Sequence, residues 1–302
     1  MQHLKEDFDS LVVGRLPSTG VERRDFLKTV LGTGFAAAVL PVSAQSVVKT
    51  DTAGLVTGTS TIEVKGQQVP LYHAQPEGKK NLPVILVVSE IFGVHEHIAD
   101  VARRFAKLGY LAIAPDLFVR QGNPAAYPSI AELMKEVVSK VPDEQAMGDL
   151  DASVAWAKAN GGNVDKLGIT GFCWGGRITW LYAVHNPAVR AGVAWYGKLV
   201  GEKTALNPVH PIDIAAKLTT PVLGLYGGKD AGISLDTVES MKAALAHGKS
   251  GSQFVVFENS GHAFHADYRP SYVEADAKEG WRRCVEWFRT HGVEGSGVQG
   301  AT

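Results

Sequence analysis

Lys166-Leu167-Gly168-Ile169-Thr170-Gly171-Phe172-Cys173-Trp174-Gly175-Gly176-Arg177-Ile178-Thr179-Trp180-Leu181 is the stretch whose reading governs everything else. Its opening, Lys166–Thr170, is a short apolar run that predicts a buried strand, and Gly175–His185 predicts an apolar helix. Between them the chain must turn from strand to helix within a few residues. Neighbours with bulky side chains would block so tight a turn, which accounts for Gly171 and Gly175. The pattern G-x-C-x-G-G is the cysteine form of the G-x-S-x-G elbow. It sets Cys173 at a helix N-terminus, where partial positive charge favours a thiolate.

Outward from this turn, apolar runs alternate with amphipathic stretches. On the N-terminal side, Ser60–Val64 and Gln68–His73 read as strands paired around Lys65-Gly66-Gln67. Strand Pro83–Val88, helix His95–Leu108 with Ile98, Val101 and Phe105 at helical spacing, and strand Leu111–Pro115 follow. An insertion from Arg120 to Asp143 carries a helix near Ile130–Ser139 and leads into helix Glu144–Ala159. On the C-terminal side come strands Ala191–Trp195 and Pro221–Tyr226, helix Leu235–His247, strand Gln253–Phe257 and a last helix over Val273–His291. Such alternation predicts an α/β fold, a mainly parallel sheet with helices on both faces and an antiparallel edge at its start. Sites in these sheets gather at the carboxyl ends of strands.

Two residues at such ends complete a nucleophile set. Asp230 follows Pro221–Tyr226 in Gly227-Gly228-Lys229-Asp230, and His262 follows Gln253–Phe257 in Ser260-Gly261-His262-Ala263. A thiol nucleophile needs a base and a group that orients the base. The order Cys173, Asp230, His262 is that of the α/β-hydrolase fold. Ser89-Glu90-Ile91-Phe92-Gly93 follows the strand Pro83–Val88, at the loop that supplies one oxyanion-hole amide in this fold. Ile91 is the candidate there and Trp174 the candidate for the second amide. Glu90 is thereby expected close to the thiol, and Tyr196 is a candidate pocket wall.

Composition excludes several classes. The 302 residues hold 30 Lys+Arg against 31 Asp+Glu, too balanced for the basic footprint of a nucleic-acid binder. With 45% hydrophobic residues the chain can build a core, and its 2 Cys cannot form a disulfide framework. No metal or organic cofactor is implied, because ligand spacings, Walker patterns and dinucleotide glycine patterns are missing from the sequence. Residues 1–44 resemble a twin-arginine export signal: Arg23-Arg24-Asp25-Phe26-Leu27 precedes an uncharged stretch, Thr29–Leu40, and the small-x-small Val42-Ser43-Ala44. The uncharged stretch is shorter than the roughly 20 residues that cross a bilayer. Cleavage after Ala44, export by the twin-arginine machinery, and a periplasmic or secreted mature protein without stable membrane insertion are expected. The remainder divides into a linker at 45–58, one catalytic domain at 59–291 and a flexible tail at 292–302.

Ser89-Glu90-Ile91-Phe92-Gly93 with His97-Ile98, Ala114-Pro115-Asp116-Leu117, the elbow, Trp195-Tyr196-Gly197, Gly228-Lys229-Asp230 and Gly261-His262-Ala263-Phe264 together resemble the dienelactone hydrolases, or carboxymethylenebutenolidases. The resemblance spans roughly residues 59 to 291. It implies hydrolysis of a small lactone or ester through a Cys173-His262-Asp230 triad and a thioester acyl-enzyme, with Glu90 hydrogen-bonded to the resting thiol. The chain departs from the family's chloroaromatic-degrading enzymes where an Arg four residues after the triad His grips the substrate carboxylate; here Ala266 stands there, and Ala263 replaces a Ser. Arg269 and Arg120 are the candidates to take over that grip. The competing readings are a general carboxylesterase or thioesterase on the same triad, and a noncatalytic ligand-binding protein of the same fold.

Overall fold

The computed structural model describes residues 48–296, so the export-signal reading of 1–44 lies outside the described residues. Strands β1 (Leu55–Val64) and β2 (Gln67–Pro76) form an antiparallel hairpin. Lys65 and Gly66 both have positive φ, 52° and 78°, as a two-residue type I′ turn demands. Then follow β3 (Leu82–Val88), α1 (Glu96–Lys107), β4 (Leu111–Pro115), α2 (Ile130–Glu136), α3 (Asp143–Ala159), β5 (Gly162–Phe172), α4 (Trp174–His185), β6 (Val189–Trp195), α5 (Pro211–Ile214), β7 (Val222–Gly227), α6 (Leu235–Leu245), β8 (Gln253–Phe257) and α7 (Glu274–Thr290). Among the described residues the short α5 is the one α-helix that periodicity misses, because four residues hold barely one turn.

The eight strands form one sheet in the order β1-β2-β4-β3-β5-β6-β7-β8. β2 pairs antiparallel with β4, and every pair from β4 to β8 is parallel. This is the α/β-hydrolase type of sheet that the alternating pattern predicts. Parallel strands covered on both faces read as continuous apolar runs, and β3 is buried along its full length. Its Ile85 and Val87 pack with Ile98, Val101 and Phe105 of α1 and Trp287 and Phe288 of α7. Its Val84, Leu86 and Val88 pack with Leu150 of α3 and Ile178 of α4 on the other face. The chain reverses its direction of travel across the sheet between β3 and β5, so the crevice at their carboxyl ends is where a ligand site forms.

Both ends of the domain differ from expectation. Within the expected linker, Thr50 donates its amide to Asp100 Oδ1 at 2.6 Å, and β1 opens at Leu55, five residues before the predicted strand. Beyond α7, Val293 is fully buried, and its carbonyl accepts from the Tyr110 hydroxyl at 3.0 Å. Residues 292–296 are therefore part of the packed domain, where a flexible tail was expected. One apolar side chain and one ring hydroxyl make the difference. Among the described residues no helix is long and apolar enough to cross a membrane.

Candidate active site

The turn from β5 to α4 places Cys173 in a strained conformation, φ 53° and ψ −113°. Non-glycine residues rarely occupy that region, and a tight elbow is one of the few reasons to hold one there. Close packing enforces the turn. A Cβ on Gly171 would stand 2.2 Å from the Gly175 carbonyl oxygen, and one on Gly175 would stand 2.3 Å from that of Val88. Only glycine at both positions lets α4 begin against the end of β3. The Cys173 amide donates to the Trp195 carbonyl at 3.0 Å, which ties the elbow to β6.

His262 and Asp230 are brought together by the ends of β7 and β8. Gly228 donates to the Phe257 carbonyl at 2.8 Å and Lys229 to that of Ser260 at 2.9 Å, so the two loops run side by side. His262 Nδ1 lies 2.7 Å from Asp230 Oδ2. The other carboxylate oxygen accepts the amides of Gly232 at 2.9 Å and Ile233 at 3.1 Å, which fixes the carboxylate plane. Burial alone would depress the His262 imidazolium. The charge and hydrogen bond of Cys173 on one side and of Asp230 on the other outweigh it and carry the pKa up to about 10. With Nδ1 committed to Asp230, Nε2 is the nitrogen left for the sulfur.

Cys173, Asp230 and His262 line one cavity of about 380 Å³ together with Glu90, Ile91, Trp174, Tyr196 and Arg269. Among the described hydrogen bonds, neither the Ile91 nor the Trp174 backbone amide is used within the protein. Trp174 is the first residue of α4, where an amide has no partner in its own helix. Their side chains are anchored instead: Ile91, Phe118, Ile130 and Leu133 form a small separate core under the insertion, against which Phe92 and Trp174 pack. Tyr196 is a cavity wall: its ring meets that of His262 at 5.1 Å, and burial pushes its hydroxyl well above the ordinary tyrosine range.

Glu90 is placed beside the elbow as expected, but its partners differ from those the resemblance implies. His95 Nε2 lies 3.1 Å from Glu90 Oε2, and the Tyr268 hydroxyl donates to Oε1 at 3.4 Å. No hydrogen bond from the Cys173 thiol to Glu90 is present among the described residues. The two arginines also separate. Arg269 lines the cavity with its guanidinium 4.4 Å from the Phe92 ring centroid and 4.8 Å from that of Tyr268. Arg120 is not in the cavity wall: both of its terminal nitrogens engage the buried Asp149, at 2.6 and 2.8 Å. A carboxylate already in the protein interior binds it, and it is corrected to a structural role. Ala266 is fully buried. Cys284 is fully buried as well, and that burial pushes its thiol far up, away from the thiolate form.

Sequence reasoning missed His95, Tyr268, Phe92 and Lys198, all in or against the cavity. His95 lies only five positions after Glu90, and that proximity was the one available signal. Among the described residues no group of His, Cys, Asp and Glu side chains is arranged to hold a metal ion.

Residues 69–292 match the sequence model of the dienelactone hydrolase family. The chain belongs to that family. A Methylorubrum extorquens protein named "Putative carboxymethylenebutenolidase" is 54% identical over 287 residues, 95% of this chain and 99% of that one. An Escherichia coli K12 protein of the same name is 50% identical over 267 residues, 88% of this chain and 98% of that one. The crystal structure of a "Putative Dienelactone Hydrolase" from Klebsiella pneumoniae superposes with a TM-score of 0.76 at 56% identity, covering 78% of this chain and 98% of that one. This dienelactone hydrolase family member is accordingly a hydrolase of ester or lactone bonds, with the cavity beside the β5–α4 elbow as its candidate active site.

Proposed function

We propose that the protein hydrolyses small lactones or esters through Cys173, His262 and Asp230, by way of a thioester. The observation that carries this reading is the strained elbow cysteine opening into the same cavity as an imidazole locked at 2.7 Å to a buried carboxylate. Cys173 Sγ attacks the carbonyl carbon, and the amides of Ile91 and Trp174 stabilise the oxyanion. Collapse breaks the ester C–O bond, and the His262 imidazolium gives its proton to the leaving oxygen. Water, deprotonated by His262, then cleaves the thioester and releases the acid. Asp230 holds the ring in the tautomer both steps need.

Arg269, which lines the cavity with Lys198 and stacks on Phe92 and Tyr268, is the cation placed to meet a substrate carboxylate. The buried Ala266, where an arginine stands in the chloroaromatic-degrading enzymes, favours a second reading as a broader esterase. A panel of carboxylate-bearing lactones, neutral lactones and 4-nitrophenyl esters with purified protein separates the two. Under the thiol reading, Cys173→Ala abolishes turnover and wild-type enzyme quenched during turnover shows an acyl adduct on the peptide holding Cys173. Full activity in Cys173→Ala overturns it. Export through the twin-arginine route, with cleavage after Ala44, is proposed from Arg23 and Arg24 together with the uncharged stretch that follows them. Substituting both arginines with lysine should leave the enzyme in the cytoplasm, and an unchanged periplasmic fraction would overturn this.

A further inference from the structure

Among the described residues the large apolar side chains left exposed are Val56, Met134, Val200, Leu206 and Leu235. Scattered singly they would mean little, but gathered around a concavity they mark a binding surface. Val56 lies apart, on β1 at the edge of the sheet. The others belong to segments that border the active-site cavity. Met134 lines it, and Val200 and Leu235 each stand two residues beyond the lining residues Lys198 and Ile233. The Leu206 carbonyl accepts the Asp143 amide at 2.9 Å, and the Asp143 carboxylate holds the cavity-lining Arg177 at 2.6 and 2.8 Å.

Met134 carries the most information. In α2, Ile130, Leu133 and Met134, with Val137 just beyond, form one apolar stripe at helical spacing. Ile130, Leu133 and Val137 are buried in the small core that also holds Ile91, whereas Met134 is left 37% exposed and opens into the cavity. The protein covers the rest of the stripe and leaves this thioether to whatever enters the site. The insertion that carries it is tied down at its far end, where the Asn207 side chain donates to the Val141 carbonyl at 3.2 Å beside the Arg177–Asp143 pair. An unbranched, polarizable side chain held there can pack along an aliphatic chain of varied shape.

Sheet order gives the cavity two sides. Ile91 follows β3 on one side of the β5 elbow, and Asp230 and His262 follow β7 and β8 on the other. An ester carbonyl at Cys173 with its oxygen toward the Ile91 and Trp174 amides must turn its leaving oxygen to His262, which protonates it. The acyl arm is left to run the opposite way, toward Phe92, Trp174 and Met134. We infer that the enzyme takes esters of unbranched, medium-length apolar acids, with Met134 as a specificity-determining wall of the acyl site. The inference rests on the proposed Cys173 hydrolase and deepens it by naming the acyl group. The cavity, about 380 Å³, lies in the roughly 300–1,000 Å³ range of pockets that enclose drug-sized ligands, and an acetyl group leaves most of it empty.

Values of kcat/KM for 4-nitrophenyl acetate, butyrate and hexanoate, each below its aggregation concentration, test this with purified protein. Burying one methylene is worth up to about fourfold, so wild-type enzyme should gain at least about tenfold from acetate to hexanoate. In Met134→Glu the hexanoate-to-acetate ratio should fall to within about twofold of unity, because the new carboxylate keeps that wall hydrated. Met134→Leu should keep the wild-type ratio, a rescue by shape that also divides out any general loss of activity. Leu235→Glu, on the leaving-group side, should leave the ratio as it is. A flat wild-type profile, or a wild-type ratio in Met134→Glu, overturns the inference. So does an adipate monoester that outruns the hexanoate, since Lys198 or Arg269 would then be selecting an acidic chain. A hexanoate gain seen only with phosphatidylcholine vesicles also overturns it and assigns the apolar rim to a lipid surface. Loss of turnover in Cys173→Ala beside a flat wild-type profile removes the acyl assignment alone. Full activity in Cys173→Ala beside a rising profile removes the nucleophile alone.

Discussion

Replacing Asp230 with Asn should damage the enzyme more than replacing it with Ala. Asp230 Oδ1 accepts two backbone amides, from Gly232 and Ile233, while Oδ2 faces His262 Nδ1. In Asp230→Asn the amide oxygen must stay at the Oδ1 position, because an NH2 group there would oppose two donors. The NH2 is then forced toward Nδ1, which can only accept from it, and the ring hydrogen moves to Nε2. A ring with hydrogen on Nε2 cannot take the proton of Cys173. The wrong tautomer in a Ser-His-Asp triad costs about 10⁴-fold in kcat, or about 5 kcal/mol. Asp230→Ala also strips the acceptor from the Gly232 and Ile233 amides, but the ring stays free to choose its tautomer, so its loss in kcat/KM should be smaller than that of the Asn variant. The assay is kcat/KM on 4-nitrophenyl acetate for both variants, with a thermal melt to confirm folding. Equal losses, or a faster Asn variant, would refute the reasoning from the fixed carboxylate plane.

His262 is held well above the roughly 6.5 of an unfolded histidine, so its pairing contributes stability that is complete below that pH and fades as pH rises toward about 10. The melting-temperature gap between wild type and Asp230→Ala should therefore narrow across that window, and a widening gap would contradict it. Gly175→Ala would force a methyl to within 2.3 Å of the Val88 carbonyl oxygen. A loss of about 1–3 kcal/mol in urea unfolding is expected, with activity falling further because the loop that follows β3 carries Glu90 and Ile91. Arg120→Ala strands the fully buried Asp149. It should cost about 3–5 kcal/mol in stability, and the double change Arg120→Met with Asp149→Leu should recover most of it. The KM for a carboxylate-bearing lactone should stay unchanged in that double variant and rise in Arg269→Gln, measured side by side.

What could be read along the chain was whatever local physics sets. Alternating apolar periods predicted every strand and all the long helices, with bounds within a few residues except at the start of β1, since each element buries its own face. The elbow could be read because a strand, two glycines and a helix within a dozen residues leave a single route for the backbone. Asp230 and His262 were legible from their places after strands, since a parallel sheet delivers all such ends to one crevice. The choice between partners was not legible. Arg120 and Arg269 are the same residue type in similar surroundings of sequence, yet one meets Asp149 of α3 and the other lines the cavity. Glu90 could have turned to the thiol or to His95, and Val293 could have frayed or packed beneath Tyr110. Each of these outcomes depends on side chains from elements tens to hundreds of residues apart, or on a loop whose path they define. Their free energies come from burial and pairing that exist only once the sheet has closed, and for that reason the tertiary structure alone decided them.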